Sequence, residues 1–441
     1  MIHSIFFKRK LLLVAFHVLV GFLVLIPGIP VIYTTSAILV GVLILVNTKN
    51  RDEEAFFLAA YIAGMEVFAR MTKGVILYET GKYGVILLLL LGLILGPIKQ
   101  KFTVSYIFYL FFLLLGIVFT QVPEGESIRK AIAFNLSGPF ALGISAIYFY
   151  KRRVKKEQLM KAMFAMVLPV FSMVTYLYFK TPDLREILFT GQANFVTSGG
   201  FGPNQVATGI GIGIFVVVVF MILREKLTGF ILLDTFFLIY FIYRGLLTFS
   251  RGGIISGAAA IFTFLLFYIL YKKGSIKLFI RYFLVGGFFL TAVWLFTSDA
   301  TGGMLDNRYA GKNASGIQKE DITSGRVEIL DAQFKNFLQN PLGIGVGNGK
   351  YSRELTGEVG ASHNEIGRMI EEHGLIGLFL LLLLLIQPLS VFWKSNNYQR
   401  AFLISFYLLW LLTINHSAMR IVFPGFIYGL CLMRIVDDDD E

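Results

Sequence analysis

The sequence is dominated by a succession of apolar runs, separated by short polar gaps. A helix that crosses a bilayer needs about 20 mostly apolar residues, because a rise of 1.5 Å per residue must cover about 30 Å of hydrocarbon. Charged residues make up only 15% of the chain, against about 25% in an average soluble domain. The pattern therefore predicts an all-α polytopic membrane protein with about 12–14 transmembrane helices. About fourteen candidate spans centre near residues 19, 38, 62, 90, 111, 140, 170, 214, 238, 262, 287, 384, 407 and 428.

The basic residues indicate how these spans are oriented. A net charge of +12 could indicate a nucleic-acid partner, but the Lys and Arg residues lie in short gaps and form no basic domain, so none is expected. With the N-terminus in the cytoplasm, the cytoplasmic gaps and their flanks hold about 22 of the 40 basic residues. The densest cluster, residues 151–156, falls on that side. Both termini are therefore predicted to be cytoplasmic.

Both chain ends carry charged segments outside the apolar runs. Phe7-Lys8-Arg9-Lys10 before an apolar run resembles a signal peptide, but no small-residue cleavage site is obvious, and we expect the first membrane helix there. Residues 437–441 are acidic and are expected to be a solvated tail.

The spans divide the chain into a membrane bundle over residues 1–296, a large outer loop over 297–373, and C-terminal membrane helices with the acidic tail over 374–441. The loop is far longer than a usual connection. Over residues 323–339, apolar side chains recur at three- and four-residue spacing, which predicts an amphipathic helix packed on the bundle or lying at the membrane surface. Ser362 and Glu365 have the spacing of a capping box, which predicts a second helix that continues into the next span.

Metal and nucleotide cofactors are not expected. Cys431 is the only cysteine, no H-E-x-x-H motif occurs, and no clustered carboxylates appear in the outer segments. The glycine-rich residues 343–349 lack the βαβ context of a dinucleotide site. Glu66 and Arg70 are four residues apart in an apolar stretch and are expected to pair near the outer face.

His363 is the candidate general base. It would lie in the first turn of a helix outside the membrane, where the helix dipole disfavours imidazolium. A neutral imidazole is what a general base requires. The alternative is that residues 362–365 only start a helix.

Two arginines are candidates for binding an anion. Arg251 lies between two apolar runs and is expected at the outer interface or in a wet cavity, because an arginine at the bilayer centre is costly. Gly252 and Gly253 would expose backbone N–H groups to an anion. Arg326 starts the amphipathic helix, where acidic residues are favoured, and an anionic ligand would remove that conflict. The alternatives are that Arg251 only lies at the membrane interface and that Arg326 is only a solvated first-turn arginine.

Taken together, these segments resemble the O-antigen ligase and polymerase family of bacterial membrane glycan transferases. The motifs are, in chain order, Pro203-Asn204-Gln205 with Ala207, Ser250-Arg251-Gly252, Thr323-Ser324-Gly325-Arg326, Asn340-Pro341-Leu342-Gly343-Ile344-Gly345, and His363-Asn364 with Gly374-Leu375-Ile376-Gly377. They span about residues 200–380, and their order makes the set more specific than any one motif.

The resemblance implies a multi-pass protein of the bacterial inner membrane with its active site on the periplasmic face. It implies a glycan donor on undecaprenyl pyrophosphate and a metal-independent transfer, without cofactor, to an acceptor sugar hydroxyl of lipid A–core or of a growing chain. His363 would be catalytic, and Arg251 and Arg326 would bind pyrophosphate. Asn204, Gln205 and Asn364 would orient sugar or phosphate oxygens.

Several functions stay open at this point. A ligase is slightly favoured over a repeat-unit polymerase, because a polymerase of this kind often presents two arginine-bearing outer loops. Arg185, in residues 180–203, weakens that preference. A lipid-glycan flippase or transporter would be expected to show internal repeats and broken helices, and no convincing repeat is found. A purely structural membrane partner is the third class.

Overall fold

The computed structural model describes residues 9–97, 103–189, 192–274, 276–319, 321, 323, 325–355 and 362–436. Part of the N-terminal basic stretch, the basic gap at residues 99–101, Ser324 and the acidic tail lie outside the described residues. The elements are α1 (Lys10–Leu23), α2 (Ile29–Thr48), α3 (Glu54–Met71), α4 (Thr80–Leu95), α5 (Val104–Leu115), α6 (Ile128–Phe149), β1 (Arg153–Lys155), α7 (Lys156–Lys180), α8 (Pro203–Ile222), α9 (Ile231–Leu247), α10 (Arg251–Tyr271), α11 (Ile276–Ala300), α12 (Met304–Tyr309), α13 (Arg326–Gln339), α14 (Gly349–Leu355), α15 (Glu365–Phe392), α16 (Asn397–His416), α17 (Phe423–Leu430) and β2 (Arg434–Val436).

The predicted all-α polytopic architecture is confirmed. Each of the predicted centres lies on a helix, in α1–α11 and α15–α17. Among the described residues, seven helices are long and apolar enough to cross a membrane, and α1, α4 and α5 are apolar but shorter. The last, α17, has only 8 residues, or about 12 Å, and is too short to span alone. The predicted division of the chain at residues 296 and 373 stays a prediction.

One end of the bundle holds the predicted cytoplasmic segments. Strand β1 pairs in parallel with β2, with Arg153 opposite Arg434. Beside this pair, the buried Arg152 donates from Nε to Glu53 at 2.7 Å. The densest basic gap and the end of the described chain therefore lie at the same end of the bundle. The opposite end, where α7 finishes and α8 begins, is called the outer end below.

At the outer end, α10 packs closely between α8 and α16. A Cβ at Gly253 would overlap the backbone of Ala207, and one at Gly252 would overlap the His416 ring. These glycines therefore let helices approach each other and hold the N-terminus of α10 in place. The role predicted for Gly252-Gly253, exposing N–H groups to an anion, stays a prediction beside this packing role.

The amphipathic helix predicted in the outer loop is α13, which begins at Arg326, three residues later than predicted. Its only buried residue is the polar Gln333, which faces α15, whereas Phe334 is 49% and Leu338 is 61% exposed. The helix therefore turns its polar face to the protein and its apolar face outward, as a helix lying at a membrane surface does.

Two of the glycine-containing motifs contact each other and orient the start of α15. Three backbone N–H groups donate across this contact: Leu375 to Pro341 at 2.8 Å, Ile344 to Glu371 at 3.1 Å, and Gly345 to Glu372 at 3.0 Å. Helix α15 is kinked at Gly374, whose φ of 59° lies in the left-handed region that glycine adopts at low cost. The kink separates the segment that begins beside His363 from the long apolar span.

Candidate active site

Four helices begin at one cavity of about 390 Å³ at the outer end of the bundle. Asn204 is the second residue of α8, Arg251 and Arg326 are the first residues of α10 and α13, and Asn364 precedes α15; all four line the cavity. The positive ends of four helix dipoles therefore meet there. Helix N-termini attract anions through unpaired N–H groups and this partial charge.

Three arginines line the same cavity, and its described lining contains no carboxylate. The third, Arg308 on α12, donates from Nε to the Phe249 carbonyl at 3.0 Å. Burial, then Arg251 and Arg326, lower the pKa of Arg308 to about 10. Partial burial and Arg251 also lower the pKa of Arg326. Burial and mutual repulsion thus destabilise the charged forms of these arginines. An anion bound in the cavity would relieve the repulsion.

His363 lines the cavity beside these arginines. Burial, followed by the charges of Arg420, Arg326 and the neighbouring His416, lowers its pKa to about 4. The imidazole is therefore neutral at neutral pH, as a general base requires. The cause differs from the predicted one, because His363 precedes the capping residue of α15 and is not in the first turn.

Asn364 caps α15, and the predicted capping box is wrong. Its Oδ1 accepts from two first-turn N–H groups at 2.8 and 3.1 Å, while its Nδ2 donates to Asn415 at 3.2 Å. Glu365 instead pairs with the buried Arg368. Asn364 therefore fixes the chain direction at His363 while it lines the cavity.

Asn204 lines the cavity and joins three helices. Its Oδ1 accepts from Ser250 Oγ at 2.7 Å, and its Nδ2 donates to the His416 carbonyl at 3.5 Å. Gln205 is buried and does not line the cavity; within the described chain its Oε1 accepts no hydrogen bond. The structure therefore brings together five of the six residues singled out from the sequence, and Gln205 is the exception.

A buried carboxylate, Glu371, links the helices that carry the site. Glu371 of α15 accepts from Gln333 at 3.1 Å and Asn336 at 2.9 Å on α13, and from Arg353 at 2.8 Å on α14. The other two glutamates of this segment pair with Arg368. No clustered carboxylates were expected in the outer segments, yet Glu365, Glu371 and Glu372 lie close together here, each paired with an arginine. Among the described residues, no His, Cys, Asp or Glu group is arranged to hold a metal ion.

A larger cavity, of about 590 Å³, shares the wall residue Ser362 with the first. Arg420, which lines it, donates from Nη2 to the Ser362 carbonyl at 2.7 Å. The predicted Glu66–Arg70 pair is confirmed at 2.6 Å, and Arg70 also donates to the Arg420 carbonyl at 2.8 Å. This pair therefore helps to hold the turn between α16 and α17 against the site.

Sequence reasoning missed Arg308, Arg420 and Glu371. Arg308 lies in a polar stretch without periodicity, and Arg420 lies in a short turn. The only available signal was their position in outer segments, which many other charged residues share.

Fold and site together define a multi-pass helical membrane protein with a cationic cavity and a neutral imidazole at its wall. Residues 235–382, about a third of the chain, match the family model described as O-antigen ligase. The family predicted from the motifs is thereby confirmed: the chain carries the domain of the O-antigen ligase and polymerase family, whose members are glycosyltransferase-type enzymes. Such enzymes use a lipid-linked glycan donor and a sugar acceptor. No curated protein and no solved structure matches the chain.

Proposed function

We propose that this protein transfers a glycan from undecaprenyl pyrophosphate to a hydroxyl of an acceptor sugar at the periplasmic face of the inner membrane, without a metal ion. The observation that carries the proposal is the convergence of Arg251, Arg308, Arg326 and His363 on one cavity at which four helices begin. A pyrophosphate group is negatively charged and presents pairs of oxygens that a planar guanidinium group binds with two parallel N–H donors.

The chemical step needs charge neutralisation more than it needs acid catalysis. The acceptor oxygen attacks the anomeric carbon and forms the new glycosidic bond. The bond from that carbon to the pyrophosphate oxygen breaks, and the leaving group takes the electron pair. His363 receives the hydroxyl proton, while the arginines stabilise the charge that develops on the pyrophosphate. A direct displacement of this kind inverts the anomeric configuration.

Donor binding and the base are coupled through charge. Burial, and then the charges of Arg420 and Arg326, oppose protonation of His363. An anion that neutralises Arg326 would remove one of these causes, raise the pKa of His363 and make it a stronger base.

The ligase reaction, with lipid A–core as the acceptor, is the favoured form. Arg185, which could have marked a second arginine-bearing site, lies outside both cavities, where it is 87% exposed and paired with Asp183 at 2.6 Å. Residues 180–203 therefore bring no arginine to either cavity, which removes the observation that weakened the preference for a ligase. A repeat-unit polymerase, with the growing chain as its acceptor, is the second candidate.

Deleting the gene and separating lipid-linked and outer-membrane glycans on gels would test the proposal. Loss of a ligase leaves long chains on the lipid carrier, whereas loss of a polymerase leaves core that carries a single repeat. Restoration by the wild-type gene, but not by Arg326→Gln, is expected. An unchanged glycan pattern in the deletion strain would refute both forms.

A further inference from the structure

The larger cavity beside the active site has the chemistry of a second substrate site. We infer that it binds the acceptor, and that this acceptor is a saccharide carrying carboxylate or phosphate groups. The inference rests on the proposed function. It adds a binding site and a charge requirement for the acceptor.

The cavity has the size and the surfaces of a saccharide site. Its volume of about 590 Å³ lies within the range of roughly 300–1,000 Å³ typical of small-molecule sites. Four aromatic side chains line it: Tyr78, Tyr83, Phe134 and Tyr351. The Tyr78 and Phe134 rings lie 5.8 Å apart, and Arg420 lies 5.9 Å from the centre of the Phe134 ring. Flat aromatic faces can cover the apolar face of a sugar ring, while tyrosine hydroxyls and guanidinium groups bond its oxygens.

The charge of the lining favours an anionic ligand. Among the residues that the structure describes, six cationic and three acidic side chains line the cavity. Arg353 and Arg368 are engaged by buried glutamates of α15. Arg129 and Lys130 are exposed in the first turn of α6, which contains no acidic residue. Arg129 and Lys130 repel each other and are also repelled by the positive end of the α6 dipole. A bound anion would relieve both repulsions. The surplus positive charge would also attract an acidic sugar from solution.

The position of the cavity fits an acceptor better than a second donor. Ser362 lies in the wall of both cavities, and the next residue is His363. Arg420 lines the larger cavity, bonds the Ser362 carbonyl at 2.7 Å, and is the charged neighbour with the largest effect on His363. The arginines that would bind pyrophosphate line the other cavity, so an acceptor in the larger cavity and a donor in the smaller one would meet at the wall that carries Ser362. An inverting displacement needs the nucleophile and the leaving group on opposite sides of the anomeric carbon, and two adjoining sites allow that arrangement.

The experiment separates the binding of the two substrates. The deletion strain would accumulate both the carrier-linked donor and the unmodified acceptor, which are extracted, separated and titrated independently against purified protein. We expect the double variant Arg129→Gln/Lys130→Gln to raise the acceptor KM about ten-fold or more, the effect of one lost charge-assisted hydrogen bond. The donor KM should stay within about two-fold. Increasing salt should weaken acceptor binding to the wild type more than to the variant.

Matched variants guard against a general defect. Arg185→Gln, which removes an exposed arginine outside both cavities, should behave as wild type. The charge-retaining Arg129→Lys/Lys130→Arg pair should raise the acceptor KM less than the charge-removing pair does. If the first double variant fails to fold, Lys350→Gln, elsewhere in the lining, replaces it and should also raise the acceptor KM. An acceptor KM within two-fold of wild type, or a parallel rise in the donor KM, would overturn the inference while leaving the proposed transfer intact. Absence of transfer by the wild type would refute the proposed function, and the inference with it.

Discussion

Replacing His363 with glutamine tests whether the cavity is catalytic. Glutamine keeps a polar side chain of similar length and removes the proton acceptor. Loss of a general base typically slows a reaction by about 10²–10⁴-fold. We expect kcat to fall by that factor, while donor and acceptor KM change little, because the arginines remain in place.

The pH profile of transfer tests the same role of His363 through a second quantity, the pH at which activity is lost. Lowering the pKa of His363 from 6.5 to about 4 disfavours the imidazolium by about 3 kcal/mol, at about 1.36 kcal/mol per pKa unit. The base is neutral, and thus active, above its pKa. The acid limb of kcat/KM, which reports the free enzyme, should therefore lie near pH 4. The acid limb of kcat, which reports the complex, should lie higher, because bound pyrophosphate neutralises Arg326.

Transfer by purified protein is measured with both substrates varied. The pH range is about 3.5–8, so that it includes the acid limb expected near pH 4. Transfer by His363→Gln within ten-fold of wild type would refute the assignment of His363 as the base. An acid limb of kcat/KM at or above the ordinary histidine value of 6.5 would refute the account of its environment.

Four further results are expected. Arg326→Lys keeps the charge but loses the paired donors, and should reduce transfer at subsaturating donor by about 10²–10³-fold, measured as kcat/KM. Arg368→Met leaves two buried carboxylates without their partner and should cost about 3–5 kcal/mol, seen as a lower melting temperature in detergent. Gly253→Ala should cost about 1–3 kcal/mol through overlap with α8, whereas Gly286→Ala, with open space around it, should be neutral or slightly stabilising. Chelator treatment should leave transfer unchanged, and a complete loss restored by a divalent ion would contradict the metal-free mechanism.

Helix positions could be predicted because burial in lipid demands a fixed length of apolar chain. Each predicted centre coincides with a helix for this reason. The length of α17 could not be predicted, because its apolar residues are buried among other helices and need not form a full span.

The candidate site was predictable where sequence motifs carried it. Arg251, Arg326, His363 and Asn364 meet at one cavity, as the motif set indicated. Arg308 reaches the same cavity from a segment without periodic pattern, so no local signal marks it. The packing role of Gly253 depends on which neighbouring helix approaches, and sequence spacing does not contain that information. The capping residue was a local choice between Ser362 and Asn364, both of which are favoured N-cap types.

Helix α13 has a consequence for how such an enzyme must be handled. Two of its apolar side chains, Phe334 and Leu338, are 49% and 61% exposed and face away from the protein. Arg326, at its first residue, is part of the cavity wall. We expect the surrounding lipid to cover this face, and so to hold in place the helix that carries Arg326, the arginine proposed to bind pyrophosphate. A detergent that covers α13 poorly should reduce activity before it unfolds the bundle.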